Sequence, residues 1–135
     1  MGRYKPKTIC IDFDGTCVTH EFPRIGRYIG AEPVLRRLLE RGDKLILWTM
    51  RSEEGLARAV AWFAGRGIPL FGINSNPGQQ SWTTSPKAYA HIYIDDAAAG
   101  CPLCRGRKGE RPYVNWRKME RILFPHDRRK KGGKR

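Results

Sequence analysis

Asp12 and Asp14 stand two residues apart where an apolar run ends, in Ile9-Cys10-Ile11-Asp12-Phe13-Asp14-Gly15-Thr16. Alternate side chains of a strand leave opposite faces, but where the strand ends the backbone can curl and bring side chains and carbonyls to one point. Two carboxylates gathered there repel each other and resist joint ionisation. The arrangement therefore calls for a metal ion, a shared proton or a cationic neighbour. The same residues also suit an Asp-Gly turn that merely closes a strand.

Two further apolar runs end in polar residues. Lys44-Leu45-Ile46-Leu47-Trp48 is followed by Thr49, and His91-Ile92-Tyr93-Ile94 by Asp95-Asp96, with Lys87 shortly upstream. Taken in order, Asp-x-Asp-Gly-Thr, Thr, Lys and Asp-Asp resemble the four motifs of the haloacid dehalogenase-like (HAD) phosphohydrolase superfamily. The resemblance spans about residues 7 to 124, and its specificity lies in the set of four at strand ends rather than in any one motif. His20-Glu21-Phe22-Pro23-Arg24-Ile25-Gly26 is similar to a stretch found after the first motif in a small capless subgroup of that superfamily.

The resemblance implies a magnesium-dependent phosphatase that hydrolyses phosphate monoesters through an aspartyl-phosphate. Asp12 is the implied nucleophile and Asp14 the general acid and base. The implied Mg2+ ligands are Asp12, Asp14 through its main-chain carbonyl, and one of Asp95 and Asp96; strand-end alignment favours Asp96, with Asp95 pairing Lys87. Thr49 and Lys87 are the implied contacts to the phosphoryl oxygens, where negative charge must be held through the transition state. Outside that frame, a threonine at a strand end reads as a turn residue and a lone lysine as a solvated charge. Arg51 suits either a second phosphate contact or a salt bridge at the approach to a helix. His20 and Tyr28 suit the leaving-group side, with His20 as a proton shuttle, although a partly exposed structural histidine is the stronger reading. Trp82 suits stacking on a base or a core contact beneath its loop.

The elements that must position these residues alternate between strand and helix patterns, which predicts an α/β fold with a mostly parallel sheet flanked by helices. Strands are expected near residues 7–13, 44–49, 69–74 and 91–95, and helices over 31–41, 52–66 and 114–123. Val34, Leu35, Leu38 and Leu39 form the apolar face of the first helix and Leu56, Ala59, Val60 and Phe63 that of the second. Trp116, Met119, Ile122 and Leu123 are expected to face the core from the last. Residues 74–85 read as a long loop. By the resemblance, residues 16–30 form a helical squiggle and a β-hairpin flap, and the lack of a long insertion implies a single Rossmann-like domain without a large cap.

A chain of 135 residues suits one core, assigned to residues 1–124, with a basic, disordered tail over 125–135. No apolar run approaches the roughly 20 residues that cross a bilayer, so no membrane partner is expected. The N-terminus lacks a secretory pattern, and position 6 is proline where a myristoylation signal wants serine or threonine. Of the four cysteines, Cys10 reads as a buried strand residue and Cys101-Pro102-Leu103-Cys104 as loop residues rather than a zinc knuckle. A reducing, cytoplasmic setting follows. Residues 105–111 and 125–135 contribute eight of the net thirteen positive charges. Clustered cations of this kind gain affinity for polyanions by releasing counterions, which makes nucleic acid a candidate partner of the tail. The expected substrate is thus a nucleotide, an oligonucleotide end or another exposed phosphate. The alternative is a nucleic-acid-binding accessory protein on the same scaffold, with little or no catalysis.

Overall fold

The computed structural model describes residues 3–127. Its centre is a parallel sheet of β1 (Thr8–Ile11), β2 (Lys44–Leu47), β3 (Gly72–Ile73) and β4 (Ile92–Ile94), in the order β3-β2-β1-β4. The register is fixed by β1, whose Ile9 lies beside Leu45 on one side and Ile92 on the other. β3 is shorter than the sequence pattern suggests. Pro69 has no N–H to give to a ladder, and a side chain at Gly72 would come within 2.2 Å of the Ser75 carbonyl.

The pleat sends Ile9, Ile11, Leu45, Leu47 and Ile94 to one face. All three helices cover that face: α1 (Ala31–Glu40), α2 (Glu53–Gly65) and α3 (Trp116–Leu123). The opposite face sends out Cys10 and Ile46, which pack on Ala88, Ala90, Trp48 and Phe71. No helix covers it; the segment from Asn74 to His91 crosses it with one 3-10 turn at Pro77–Gln79. The right-handed crossover rule explains the division, because β1, β2 and β3 step one way across the sheet and the return to β4 must pass over the other face.

The strand order therefore reverses between β1 and β4, and ligands of open α/β sheets sit outside the carboxyl ends of the strands at such a point. Residues 13–19 form a tight turn after β1, in which the Thr16, Cys17 and Val18 amides all approach the Phe13 carbonyl, and Val18 then bridges Tyr28 to form a short flap. There is no large cap. A small antiparallel hairpin, β5 (Leu103–Cys104) and β6 (Tyr113–Val114), precedes α3.

Two packing expectations need correction. Ile122 is 58% exposed, because the buried stripe of α3 is Trp116, Met119 and Leu123, while position 122 falls on the outer side. The segment assigned to the tail begins in packed structure, since the Asp127 carboxylate pairs with Arg37 of α1 at 3.1 Å. Arg37 also pairs with Glu120 of α3. Residues 128–135, and with them the expected disordered tail and its nucleic-acid contacts, lie outside the described residues. Among the described residues no helix is long and apolar enough to cross a membrane. All four cysteines are free thiols, Cys10 and Cys17 buried.

Candidate functional site

Asp12 follows β1 and Asp95 and Asp96 follow β4, so the parallel ladder itself brings them together; the Asp12 amide still donates to the Ile94 carbonyl at 2.9 Å. One carboxylate oxygen from each of the three lies within 4.8 Å of the others. Thr16, fully buried, knits the group. Its hydroxyl oxygen lies 2.9 Å from Asp12 Oδ2 and 3.2 Å from Asp96 Oδ1, and it accepts the Asp96 amide at 3.0 Å. Burial, reinforced by Asp96 and Asp95, pushes the Asp12 carboxyl up to about 8. Asp96 moves the other way: burial opposes its charge, but hydrogen bonds with Asp12, His20 and Thr16 outweigh this and hold it below the usual range. The two carboxyls are thus pushed in opposite directions, as expected where like charges crowd one site.

Asp14 does not join this cluster through its side chain. Arg51 Nε donates to Asp14 Oδ2 at 2.7 Å and Nη2 to Oδ1 at 2.8 Å, a bidentate pair. The remaining guanidinium hydrogens go to the carbonyls of Pro23 and Gly55 from Nη1 and of Arg24 from Nη2. With all five donors used and the side chain almost wholly buried, Arg51 is not placed to meet a phosphate, and of its two sequence readings the salt bridge is the one realised.

His20 is likewise redirected. Its Nε2 lies 2.9 Å from Asp96 Oδ2, so it faces the acidic cluster. The contact depends on Gly15, whose φ is +83° and where a Cβ would stand 2.0 Å from His20 Nε2 and 2.7 Å from Asp96 Oδ2. Tyr28 turns its hydroxyl to the Glu32 amide at the start of α1.

Thr49 uses its hydroxyl oxygen to accept the Arg51 amide at 3.1 Å, and Asn74 fixes its backbone by accepting the Thr49 amide at 2.8 Å. No protein group among the described residues accepts the Thr49 hydroxyl hydrogen. Lys87 and Asp95 line one cavity of about 330 Å³ with Trp48 and Tyr93, but they form no ion pair. Lys87 instead lies 5.5 Å over the Tyr93 ring, and Asp95 Oδ1 accepts the Ala97 amide. Trp82 is exposed, its edge on Tyr89, which in turn contacts His91; His91 Nδ1 accepts the Thr8 amide at the amino end of β1. That aromatic row leads away from the carboxylates. Another cavity, of about 750 Å³, runs along the open edge of β4 between Tyr4, Arg41 and Phe124 and is not centred on Asp12.

Sequence reasoning missed Thr16 as the bridge, Asn74 as a buttress and Trp116, whose indole N–H donates to the Thr16 carbonyl at 2.7 Å. For Thr16 a signal existed, a small hydroxyl residue four positions after the first acid. The other two are tertiary partners with none.

The donors of the cluster are all carboxylate oxygens, hard ligands that suit magnesium, calcium or manganese. A cation there would also offset the repulsion among the carboxylates. The residues fit such an ion.

Fold and site together define a small α/β protein with an acidic cluster at the switch point of a parallel sheet. No family model matches the chain, and no curated protein matches it. Among solved structures, a conserved protein coded by a locus of Bacteroides thetaiotaomicron is similar, with 31% sequence identity and a TM-score of 0.73 over 90% of this chain and 92% of that one. The chain belongs to the same family as that conserved protein.

Proposed function

We propose that the protein is a magnesium-dependent phosphohydrolase of the HAD-like type, which hydrolyses phosphate monoesters through an aspartyl-phosphate. The observation that supports the reading best is the meeting of Asp12 with Asp95 and Asp96 at the switch point of the sheet. Asp12, the Asp14 main-chain carbonyl and one of Asp95 and Asp96 would hold magnesium, which would neutralise the carboxylates and polarise the phosphoryl oxygens. An Asp12 carboxylate oxygen attacks phosphorus in line, forming one P–O bond as the ester P–O bond breaks. Asp14 gives a proton to the leaving oxygen. Asp14 then takes a proton from the water that attacks the aspartyl-phosphate, and inorganic phosphate departs. The Thr49 hydroxyl and the Lys87 ammonium hold the phosphoryl oxygens.

Asp14 can exchange protons once Arg51 yields one of its oxygens. The same guanidinium holds the carbonyls of Pro23 and Arg24, so a substrate that displaces the flap also loosens Arg51. Free thiols throughout fit a reducing compartment, and we place the protein in the cytoplasm.

The test is hydrolysis of p-nitrophenyl phosphate with magnesium and its arrest by EDTA. Asp12→Asn should lower kcat by on the order of 10³-fold or more, since it removes the nucleophile while keeping the side chain's size. Undiminished turnover by a folded Asp12→Asn protein overturns the mechanism. One observation favours the second reading, a nucleic-acid-binding accessory protein with little catalysis: both Asp14 oxygens are occupied by Arg51. Oligonucleotide binding without turnover of any phosphomonoester would select it.

A further inference from the structure

The hairpin before α3 stands beside the carboxylate site, and its base is fastened there. The Val114 amide donates to the Gly15 carbonyl at 3.0 Å, and the Asn115 amide to the Pro102 carbonyl at 2.8 Å. Since α3 begins at Trp116, which touches the Thr16 carbonyl, and ends beside Arg41, whose Nη1 donates to the Leu123 carbonyl, the helix runs from the carboxyl end of the sheet to the amino end. The hairpin that enters α3 from above therefore projects over the same end as Asp12 and Asp96. Its tip is tied to the flap, because Arg27 pairs with Glu110 at 2.7 Å and Glu110 also accepts the Arg107 amide.

That bracing consumes the tip's one acid. Arg105, Arg107, Lys108 and Arg111 are all exposed, and none is held in a salt bridge among the described residues; Arg107 meets Glu110 only as a nearby charge. Four exposed cations on one hairpin make a local positive field that a polyanion meets with release of its counterions, and their spread suits several phosphates rather than one. A second observation lies across the site. Phe22, 64% exposed, sits on the flap with its ring 5.0 Å from the Arg51 guanidinium, and Met50, 98% exposed, follows Thr49. Exposed apolar side chains beside an anion site offer the π-face contact that unpaired bases accept and a bare phosphate does not use.

We propose that the β5–β6 hairpin is an arm that contacts the backbone phosphates of a single-stranded nucleic acid, with Phe22 stacking a base, so that the substrate is the terminal phosphate of that strand. The assignment rests on the phosphohydrolase reading for its chemistry, but the arm can be tested without turnover. A single strand fits better than a duplex because an aromatic side chain can stack on the face of an unpaired base, which a duplex keeps stacked inside.

The experiment compares the full chain with a variant carrying Arg105→Ser, Arg107→Ser, Lys108→Ser and Arg111→Ser, and with Phe22→Ala. A fluorescein-labelled 12-nucleotide strand with a terminal phosphate is titrated by anisotropy at several salt concentrations, and turnover of the strand is measured beside that of p-nitrophenyl phosphate. The hairpin variant should flatten the log–log salt slope by about 0.7 for each lost contact and lower the ratio of kcat/KM, strand over small ester, by on the order of tenfold. Phe22→Ala should weaken strand binding with no change in slope. Circular dichroism melts establish that both variants fold, and charge-conserving Lys replacements at the three arginines should restore most of the slope. An unchanged slope and ratio overturn the arm while leaving the phosphatase intact. A flattened slope with no turnover of any phosphate by the native chain overturns the assigned substrate together with the phosphatase reading. Equal competition by polyglutamate of matched charge would overturn nucleic acid in favour of an acidic protein.

Discussion

Arg51 and Asp14 carry a large share of the site's internal order. A guanidinium whose five hydrogens meet one carboxylate and three carbonyls costs little to keep buried, because each donor lost to water is regained. Removing it is another matter. Arg51→Met would leave Asp14 and the flap carbonyls without their partner, and the protein should lose about 3–5 kcal/mol of unfolding free energy in a urea titration. The double variant with Asp14→Asn should recover part of that loss, since it removes the stranded charge. A loss below about 0.5 kcal/mol would mean that water replaces the guanidinium freely and that the flap is held by something else.

Among the elements, the turn after β1 is the one that decides whether the site exists. Gly15 holds a left-handed φ, and its missing side chain is the space in which His20 meets Asp96. Gly15→Ala adds a methyl group to a conformation it disfavours and drives it into that contact, so the loop must shift. A destabilisation of about 1–3 kcal/mol is expected in a urea titration, with the contact between His20 and Asp96 broken. Wild-type stability in this variant would show that the loop tolerates the methyl group. Trp116 and Val114 brace the same turn from α3 and β6, which is why a helix remote in sequence belongs to the site.

For the whole molecule, the acidic cluster couples stability to pH and to metal. The Asp12 carboxyl, raised from 3.8 to about 8, binds a proton in the folded state that the unfolded chain releases. Its contribution is fully present below pH 4 and is lost as pH rises towards 8, at no more than about 1.4 kcal/mol per pH unit. In EDTA, thermal stability should therefore fall from pH 5 to pH 8, and Asp12→Asn should flatten that fall. Magnesium should raise Tm most at the upper end of the range, where Asp12 is free to ionise and bind it. A wild-type melting profile that rises steadily between pH 5 and pH 8 in EDTA would refute the raised Asp12 carboxyl.

How much of this was legible depends on the range of the forces involved. The strands, the helices and the placement of Asp12, Asp95, Asp96, Thr49 and Lys87 at or near strand ends follow from periodicity and local breakers, which act over a few residues. So does the open face of the site, because no insertion long enough for a cap exists. Two carboxylates near each other called for a metal, a proton or a cation, and the sequence left all three open. The tertiary structure distributes them: Arg51 is the cation for Asp14, while Asp12, its carboxyl raised by burial, stands with Asp95 and Asp96 in a cluster whose donors fit a metal. That distribution rests on which way each side chain turns after its strand ends. It is decided by partners 37 to 80 residues distant, such as Arg51 for Asp14 and Thr16 for Asp96, whose reach no local pattern encodes. The same holds for the one-sided layer of helices and for the hairpin over the site, since the crossover to β4 and the direction of α3 become fixed only when the sheet has assembled.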